Sequence, residues 1–390
     1  MPHQSQSHTS SKSIAVGLSG GVDSAVAAYL LKQAGYSVTA VYLECWNMPG
    51  CRAEQDRQDA LKVALQLDMP FKVLDFKDEY RDKVMSYFVA EYQAGRTPNP
   101  DVLCNQVIKF GMFYDWAMEQ GFDYIATGHY AQIGRDEQNK PLLLTSRDLH
   151  KDQTYFLHQV NQEQLEHILF PIGHMVKDEV RQLAHSIALP VANKKDSVGI
   201  CFVGEINLRD FLQEKLGKKP GKVVTPNGKI VGQHDGLWFY TIGQRKGFEP
   251  NTKAIKQNTD WTDNEGNIPP LYVIDKIQDK NQLVIGPKTA TQKTDWEISQ
   301  FHQISPQLDW VNLPLSVRIR HTGKLVKCKL KKLSSGKLRV SVETPVNGVA
   351  AGQFSVFYVE LEEIKADTMT AYSKENNPKQ YICLGGGVIE

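Results

Sequence analysis

Nowhere in its 390 residues does this chain string together the ~18 apolar residues that a membrane-crossing helix requires. Yet 41% of its residues are hydrophobic, enough for sizeable cores. The start, MPHQSQSHTSSKS, has no apolar stretch of the kind a secretory signal needs, so residues 1–12 read as a disordered tail. Cysteine is sparse: six residues, none in a CxxC pair. That argues against a zinc knuckle and suits a reducing cytosol, where cysteine chemistry is catalytic; the expectation is a cytoplasmic protein with no membrane partner. A strong charge excess is also missing, and the net charge of +1 says nothing of nucleic acid until its distribution is examined. No internal repeat is visible. The length exceeds the size at which one core stops growing, so two or three domains are expected.

What is present changes character twice along the chain. Short apolar strands (SIAVGL, SVTAVYL, FKVLDF, YIAT) alternate with helical patterns at 22–33, 56–67, 78–93 and 105–120. This predicts an α/β domain over 13–162 with a doubly wound parallel sheet. Three helical patterns closed by Pro or Gly follow, read as a small helical central domain over 163–217. From 218 to 390 short strands punctuated by Gly, Asn and Pro predict a C-terminal β-barrel or a pair of small β-domains. Two polar stretches, 249–270 and 364–380, read as long surface loops.

Where the first strand meets the first helix stands Ser19-Gly20-Gly21-Val22-Asp23-Ser24. An anion there meets unpaired backbone N–H groups and the positive end of the helix dipole. The glycines remove side chains that would block close approach, and Ser19 and Ser24 add hydroxyl donors. Asp23 would repel phosphate unless a cation intervened, which makes it the candidate Mg2+ ligand. A bare Gly-Gly turn means little, but six residues in strand–turn–helix context favour a nucleotide site. No Lys follows the glycines, so this is not a Walker A loop. SGGVDS resembles the PP-loop of ATP pyrophosphatases, which cleave ATP between its α and β phosphates and adenylate a substrate.

Two more strings narrow the resemblance: Gly95-Arg96-Thr97-Pro98-Asn99-Pro100-Asp101-Val102-Leu103-Cys104-Asn105 and Lys195-Asp196-Ser197-Val198-Gly199-Ile200-Cys201-Phe202. With Thr127-Gly128-His129-Tyr130, Lys151-Asp152-Gln153 and GQRKG at 243–247, they resemble the tRNA-specific 2-thiouridylase family from about residue 13 to the closing CLGGGVIE. The resemblance implies ATP-dependent 2-thiolation of the wobble uridine in tRNAs for lysine, glutamate and glutamine, with a persulfide donor as partner. It implies ATP contacts at Gly17, Leu18, Ser19, Gly20, Gly21, Val22, Asp23, Ser24, Leu43 and Gly128. It makes Cys201 the persulfide carrier and Cys104 its partner nucleophile. Asn99, Pro100 and Asp101 then meet the target base, Asp101 as a proton-handling carboxylate. His129, Lys151, Asp152, Gln153, Arg320, His321 and Gln353 fall at tRNA contacts. The loop from Cys45 to Gln55 and both polar stretches depart from the family pattern.

Free cysteines are usually small buried hydrophobes. That reading is kept for Cys45, Cys51, Cys328 and Cys383; Cys328, between Lys327 and Lys329, should face a barrel core. Residues 311–340 hold nine Lys or Arg and no acid. Lys327, Lys329 and Lys331 share a strand face opposite Val326, Cys328 and Leu330, a pattern suited to tracking phosphates. Without the other motifs it would be ordinary solvated surface. Two alternatives remain at this stage. Another PP-loop adenylating enzyme has no need of Cys104 and Cys201, and a non-catalytic tRNA-binding or sulfur-relay protein could lose the phosphate loop.

Overall fold

The computed structural model describes residues 11–46, 52–196, 207–263, 265–363 and 379–390. Five parallel strands, β1 (Ser13–Gly17), β2 (Ser37–Glu44), β3 (Phe71–Asp75), β4 (Tyr124–Ala126) and β7 (Ile168–Leu169), are ordered β3-β2-β1-β4-β7. The centre of β1 is fully buried, as expected for a parallel strand covered on both faces. Because β2 lies on one side of β1 and β4 on the other, the winding reverses at the carboxyl end of β1, where open α/β sheets leave a crevice. Helix α1 (Val22–Gln33) starts there, and its alanine-rich face (Ala25, Ala27 and Ala28, all buried) lets it pack closely in the same core as Val180 and Ala184 of the helix Lys177–Ser186. Helical stretches at 77–93 and 100–119 cover the other face, each with a wider π-type segment, Tyr80–Met85 and Asn105–Met112.

A second sheet, β10-β9-β8-β12-β11, is made of β8 (Gly221–Val224), β9 (Ile230–His234), β10 (Glu249–Pro250), β11 (Leu271–Ile277) and β12 (Gln282–Pro287) around its own core. The third unit comprises β13 (Gln292–Gln303), β14 (Leu315–Arg318), β15 (Val326–Lys332), β16 (Leu338–Asn347), β17 (Phe354–Glu360) and β18 (Tyr381–Ile389). They run β13-β16-β15-β14-β17-β18, and β18 pairs back onto β13, which closes a six-stranded barrel.

Three features differ from the sequence reading. The stretch from 163, expected as a separate helical domain, contributes β7 to the parallel sheet, and its helix Lys177–Ser186 packs on α1. Its helices bury their apolar residues in the cores of the parallel-sheet unit, Val180 and Ala184 beside α1 and Leu212 beside Phe88 and Tyr92. The hairpin of β5 (Ala131–Arg135) and β6 (Pro141–Thr145), expected inside the first domain, instead extends the barrel sheet through β18. The polar stretch 249–270 holds a helix, Thr252–Asn258, started by Asn251, whose side chain accepts a hydrogen bond from the Ala254 N–H at 3.0 Å. Residues 364–378 of the other polar stretch lie outside the described residues.

Candidate active site

The phosphate loop is braced from within. The buried Leu18 N–H donates to the Val41 carbonyl at 2.8 Å, tying the exit of β1 to β2. The Ser24 hydroxyl accepts from the Ser19 N–H at 3.2 Å and donates to the Gly21 carbonyl at 3.2 Å, so Ser19 donates to it across 3.1 Å. Ser24 is therefore a fastener, and Ser19 is the more exposed of the two hydroxyls. Gly20 has φ +73°, and a Cβ there would come 2.2 Å from the Asp56 carbonyl oxygen. Among the described residues a Cβ on Gly21 would meet only Ser19 Oγ at 3.4 Å, so these residues leave the face of Gly21 open. Among the described residues no side chain caps the N-terminus of α1, the helix end whose N–H groups can meet an anion. Gly128 lies against the first turn of α1, with a Cβ there only 2.5 Å from Ser24 N. Gly17 and Val22 flank the loop, and Leu43 is buried in β2 beside it.

Asp23 is engaged by its own chain. Lys177 Nζ lies 2.8 and 2.9 Å from its two carboxylate oxygens, and the Tyr130 hydroxyl donates to Oδ1 at 2.9 Å. Magnesium held by Asp23, the sequence expectation, does not fit this arrangement, because a lysine already occupies the carboxylate. Among the described residues no group of three or more His, Cys, Asp or Glu side chains is placed to hold a metal.

The second string, 95–104, is gripped from two sides. A Cβ on Gly95, at φ +75°, would overlap the Gln278 side chain of the middle unit, and Thr97 Oγ1 reaches Thr241 Oγ1 at 3.4 Å. From the barrel, the Ala351 carbonyl accepts the Thr97 N–H at 2.8 Å, and Gln353 donates to the carbonyls of Thr97 (2.9 Å) and Pro98 (3.2 Å). Asn99 both donates to Gln353 Oε1 at 3.4 Å and caps the following helix by accepting from the Val102 N–H at 3.3 Å; Pro100 takes the first helical position, where its missing N–H costs nothing. Asp101 sits partly exposed in the first turn, while Cys104, four residues into the helix, is wholly buried among apolar side chains. Cys201 and Cys51 lie outside the described residues, and with Cys201 so does the expected pairing of Cys104 with it.

The other expected tRNA contacts divide. Arg320 is exposed and donates to the carbonyl of Asn347 at 2.9 Å. Lys151 is ion-paired with Asp196 at 2.8 Å. Gln153 is spent locally, its side chain accepting the Tyr130 N–H at 2.9 Å. His321 stacks near Phe156 (4.4 Å between rings), and burial, with Arg318 and Lys151 nearby, pushes it down to about 4. His129 is buried; burial and Lys109 hold it well below its ordinary value, so it is a neutral imidazole, placed to accept from Lys109 and donate to Thr127 Oγ1 at 2.7 Å. Asp152 departs most from expectation. Only 1% exposed, it bonds Arg318 Nη1 at 2.8 Å, Thr154 Oγ1 at 2.8 Å and the Ser146 N–H at 3.1 Å. Its carboxylate is an internal tie and has no face left for a nucleic acid.

Cys45 and Cys383 are buried, and Cys328 turns toward the barrel core. Burial pushes the thiols of Cys328 and Cys383 up to about 12, far from nucleophilic. On β15, Lys327, Lys329 and Lys331 are exposed and alternate with the half-buried Val326, Cys328 and Leu330. Sequence reasoning missed Lys177, Lys194 and Asp196 at the phosphate loop; Lys194 Nζ bonds the Gly20 carbonyl at 2.9 Å and Asp56 and Asp59 at 2.7 Å each. Lys177 and Lys194 read as the charged start of a surface helix and its tail, with no local pattern to distinguish them; Asp196 lay inside the string around Cys201 but was given no role.

Comparison with known proteins gives matches to three family models in chain order. These are a tRNA methyl transferase HUP domain over residues 12–205, a tRNA methyl transferase PRC-barrel domain over 209–287 and an aminomethyltransferase β-barrel domain over 293–364. The chain is 42% identical to the tRNA-specific 2-thiouridylase MnmA of Thiobacillus denitrificans, over 96% of this chain and 99% of that protein. The chain belongs to the tRNA-specific 2-thiouridylase family. Other 2-thiouridylases are equally similar along their length: that of Lacticaseibacillus paracasei is 41% identical over 95% of this chain and 97% of its own, and that of Ligilactobacillus salivarius 42% over 95% and 98%. Although the domain models carry methyl-transfer names, the relatives that span the whole chain are named for thiolation. The three matched segments correspond to the parallel-sheet unit, the middle sheet and the closed barrel, so this 2-thiouridylase has the family's three-part layout.

Proposed function

We propose that this chain, a tRNA sulfurtransferase by family, adenylates the 2-oxygen of the wobble uridine with ATP and replaces that oxygen with sulfur carried as a persulfide on Cys201. A uridine carbonyl oxygen is a poor leaving group; attached to AMP it departs readily. The α-phosphate is attacked by that oxygen and pyrophosphate leaves, with the open backbone at Gly21 and the amino end of α1 receiving its negative charge. The terminal sulfur of the Cys201 persulfide then attacks C2 and AMP leaves. Cys104, as thiolate, attacks the Cys201 sulfur, which forms a Cys104–Cys201 disulfide and leaves sulfur on the base as the thiocarbonyl. A thiol reductant reopens the disulfide for the next cycle. Asp101, one turn ahead of Cys104, handles the proton, and Asn99 and Pro100 meet the base.

ATP is the nucleotide, and magnesium arrives on its phosphates; no step here requires the protein to hold the metal. The tRNA partners are those for lysine, glutamate and glutamine, and the sulfur donor is a cysteine desulfurase or relay protein. In this reading the compartment is the cytoplasm. The full-length similarity to 2-thiouridylases carries the reading, and the preformed phosphate loop supports it. The test is to incubate enzyme, ATP, tRNA and a persulfide donor and to analyse the nucleosides by mass spectrometry. We expect 2-thiouridine at the wobble position, with AMP and pyrophosphate released only when tRNA is present. ATP cleavage indifferent to tRNA, with no thiolated nucleoside, would overturn it.

A further inference from the structure

Asp23 presents the phosphate loop with an electrostatic problem. Its carboxylate stands in the first turn of α1, at the helix end that must attract the triphosphate. Left bare, it would repel every phosphate oxygen that approached. The chain supplies its own remedy from 154 residues further on. Lys177 opens the helix Lys177–Ser186 and is 8% exposed; its backbone N–H is fixed by Asp148 Oδ2 at 3.0 Å, and its ammonium spans both oxygens of Asp23. The same ammonium reaches Asp196 at 2.8 Å. Asp196 is in turn bound by Lys151 at 2.8 Å and by Arg181; burial opposes its charge, but Lys151 and Lys177 hold it well below the usual carboxylate range. A divalent ion on Asp23 would have to displace a lysine anchored on three sides.

We propose that Lys177 is the counter-cation of Asp23 and a positioning residue for the adenylation half-reaction, with Asp196 holding it in place. Lys177 cancels the charge of Asp23 where the triphosphate enters, so the amino end of α1 stays attractive to it, and no protein-bound metal is needed there. This rests on reading the loop as the ATP site. Wild-type enzyme must therefore first show tRNA-dependent AMP release; if it does not, the functional reading fails, whatever the variants do.

Given that release, KM for ATP and KM for tRNA are measured on the full chain. Lys177→Met should raise KM for ATP roughly tenfold, within the range of coupling between charged neighbours, and leave KM for tRNA unchanged. Lys177→Arg should restore most of the loss. The decisive variant is Lys177→Met combined with Asp23→Asn, which removes both charges. It should bind ATP better than Lys177→Met alone even where the two variants melt at the same temperature, which separates removal of a repelling charge from repair of a stranded carboxylate. Should Lys177→Met fail to fold, the double variant carries the test by itself, with KM for ATP within about threefold of wild type expected. An unchanged KM for ATP in folded Lys177→Met overturns the proposal. So does a double variant no better than the single one, or, where only the double variant folds, one weakened tenfold or more.

Discussion

Neighbouring glycines in the phosphate loop do different work. Gly20 is required by the fold, since its φ is positive and the Asp56 carbonyl leaves no room for a Cβ. Gly21 is required only by what binds, because the described residues leave its face clear. Gly20→Ala should therefore lower the melting temperature, by roughly 1 kcal/mol or more in stability, with ATP binding falling alongside. Gly21→Val should melt near wild type and still bind tRNA, yet release no AMP; calorimetry and a nucleotide-release assay separate the two, and normal AMP release by Gly21→Val would remove the loop from the mechanism. The loop itself was legible in the sequence because its chemistry is local: two glycines and two serines at a strand–helix junction. Lys177 was not, because a residue 154 positions away shows its role only once the helix Lys177–Ser186 has packed on α1.

At the scale of elements, the run of basic residues at 318–339 separates into two populations that the sequence could not tell apart. The alternation along β15 was readable, and Lys327, Lys329 and Lys331 do face outward. Arg318, one strand earlier, turns inward to Asp152, a partner 166 residues away and equally charged to the eye. Replacing the three lysines with Gln should weaken tRNA binding and flatten the slope of log affinity against log salt by about two to three units, with the melting temperature unmoved. Arg318→Met should do the reverse. It strands a buried carboxylate, costs about 3–5 kcal/mol of stability, and leaves the salt slope of whatever protein remains folded as it was. An unaltered slope for the triple variant would return that face to ordinary solvated surface.

In the whole molecule, the short loop at 95–99 is where all three units meet. The parallel-sheet unit supplies it, Thr241 and Gln278 of the middle unit press on one side, and Ala351 and Gln353 of the barrel hold the other. The order of the units could be read from composition and strand spacing. Their convergence could not, nor could the crossing of the hairpin β5–β6 into the barrel sheet, because both depend on contacts far apart in sequence. Cys104 hangs from this loop and is fully buried. If it is the partner nucleophile, the helix start must open when substrates bind. A thiol-reactive probe should modify Cys104 slowly in the free enzyme and much faster with tRNA and a non-hydrolysable ATP analogue present, as read by peptide mass spectrometry. Equal rates in both states would mean that Cys104 stays sealed and takes no part in release.

Closure of the barrel has a consequence for how the protein is made. Strand β13 is translated almost eighty residues before β18, which it must pair with, and β18 also completes the edge of β17. While the ribosome is still adding those residues, two strand edges of the nascent barrel stand open, and open edges recruit other strands. The first half of the chain has by then finished its parallel sheet and already carries the β5–β6 hairpin, on which Thr145 Oγ1 accepts the Tyr381 N–H at 3.0 Å. The hairpin is thus a docking edge prepared early for a strand that arrives late, and a chain cut short before residue 381 would keep both edges exposed for as long as it persisted.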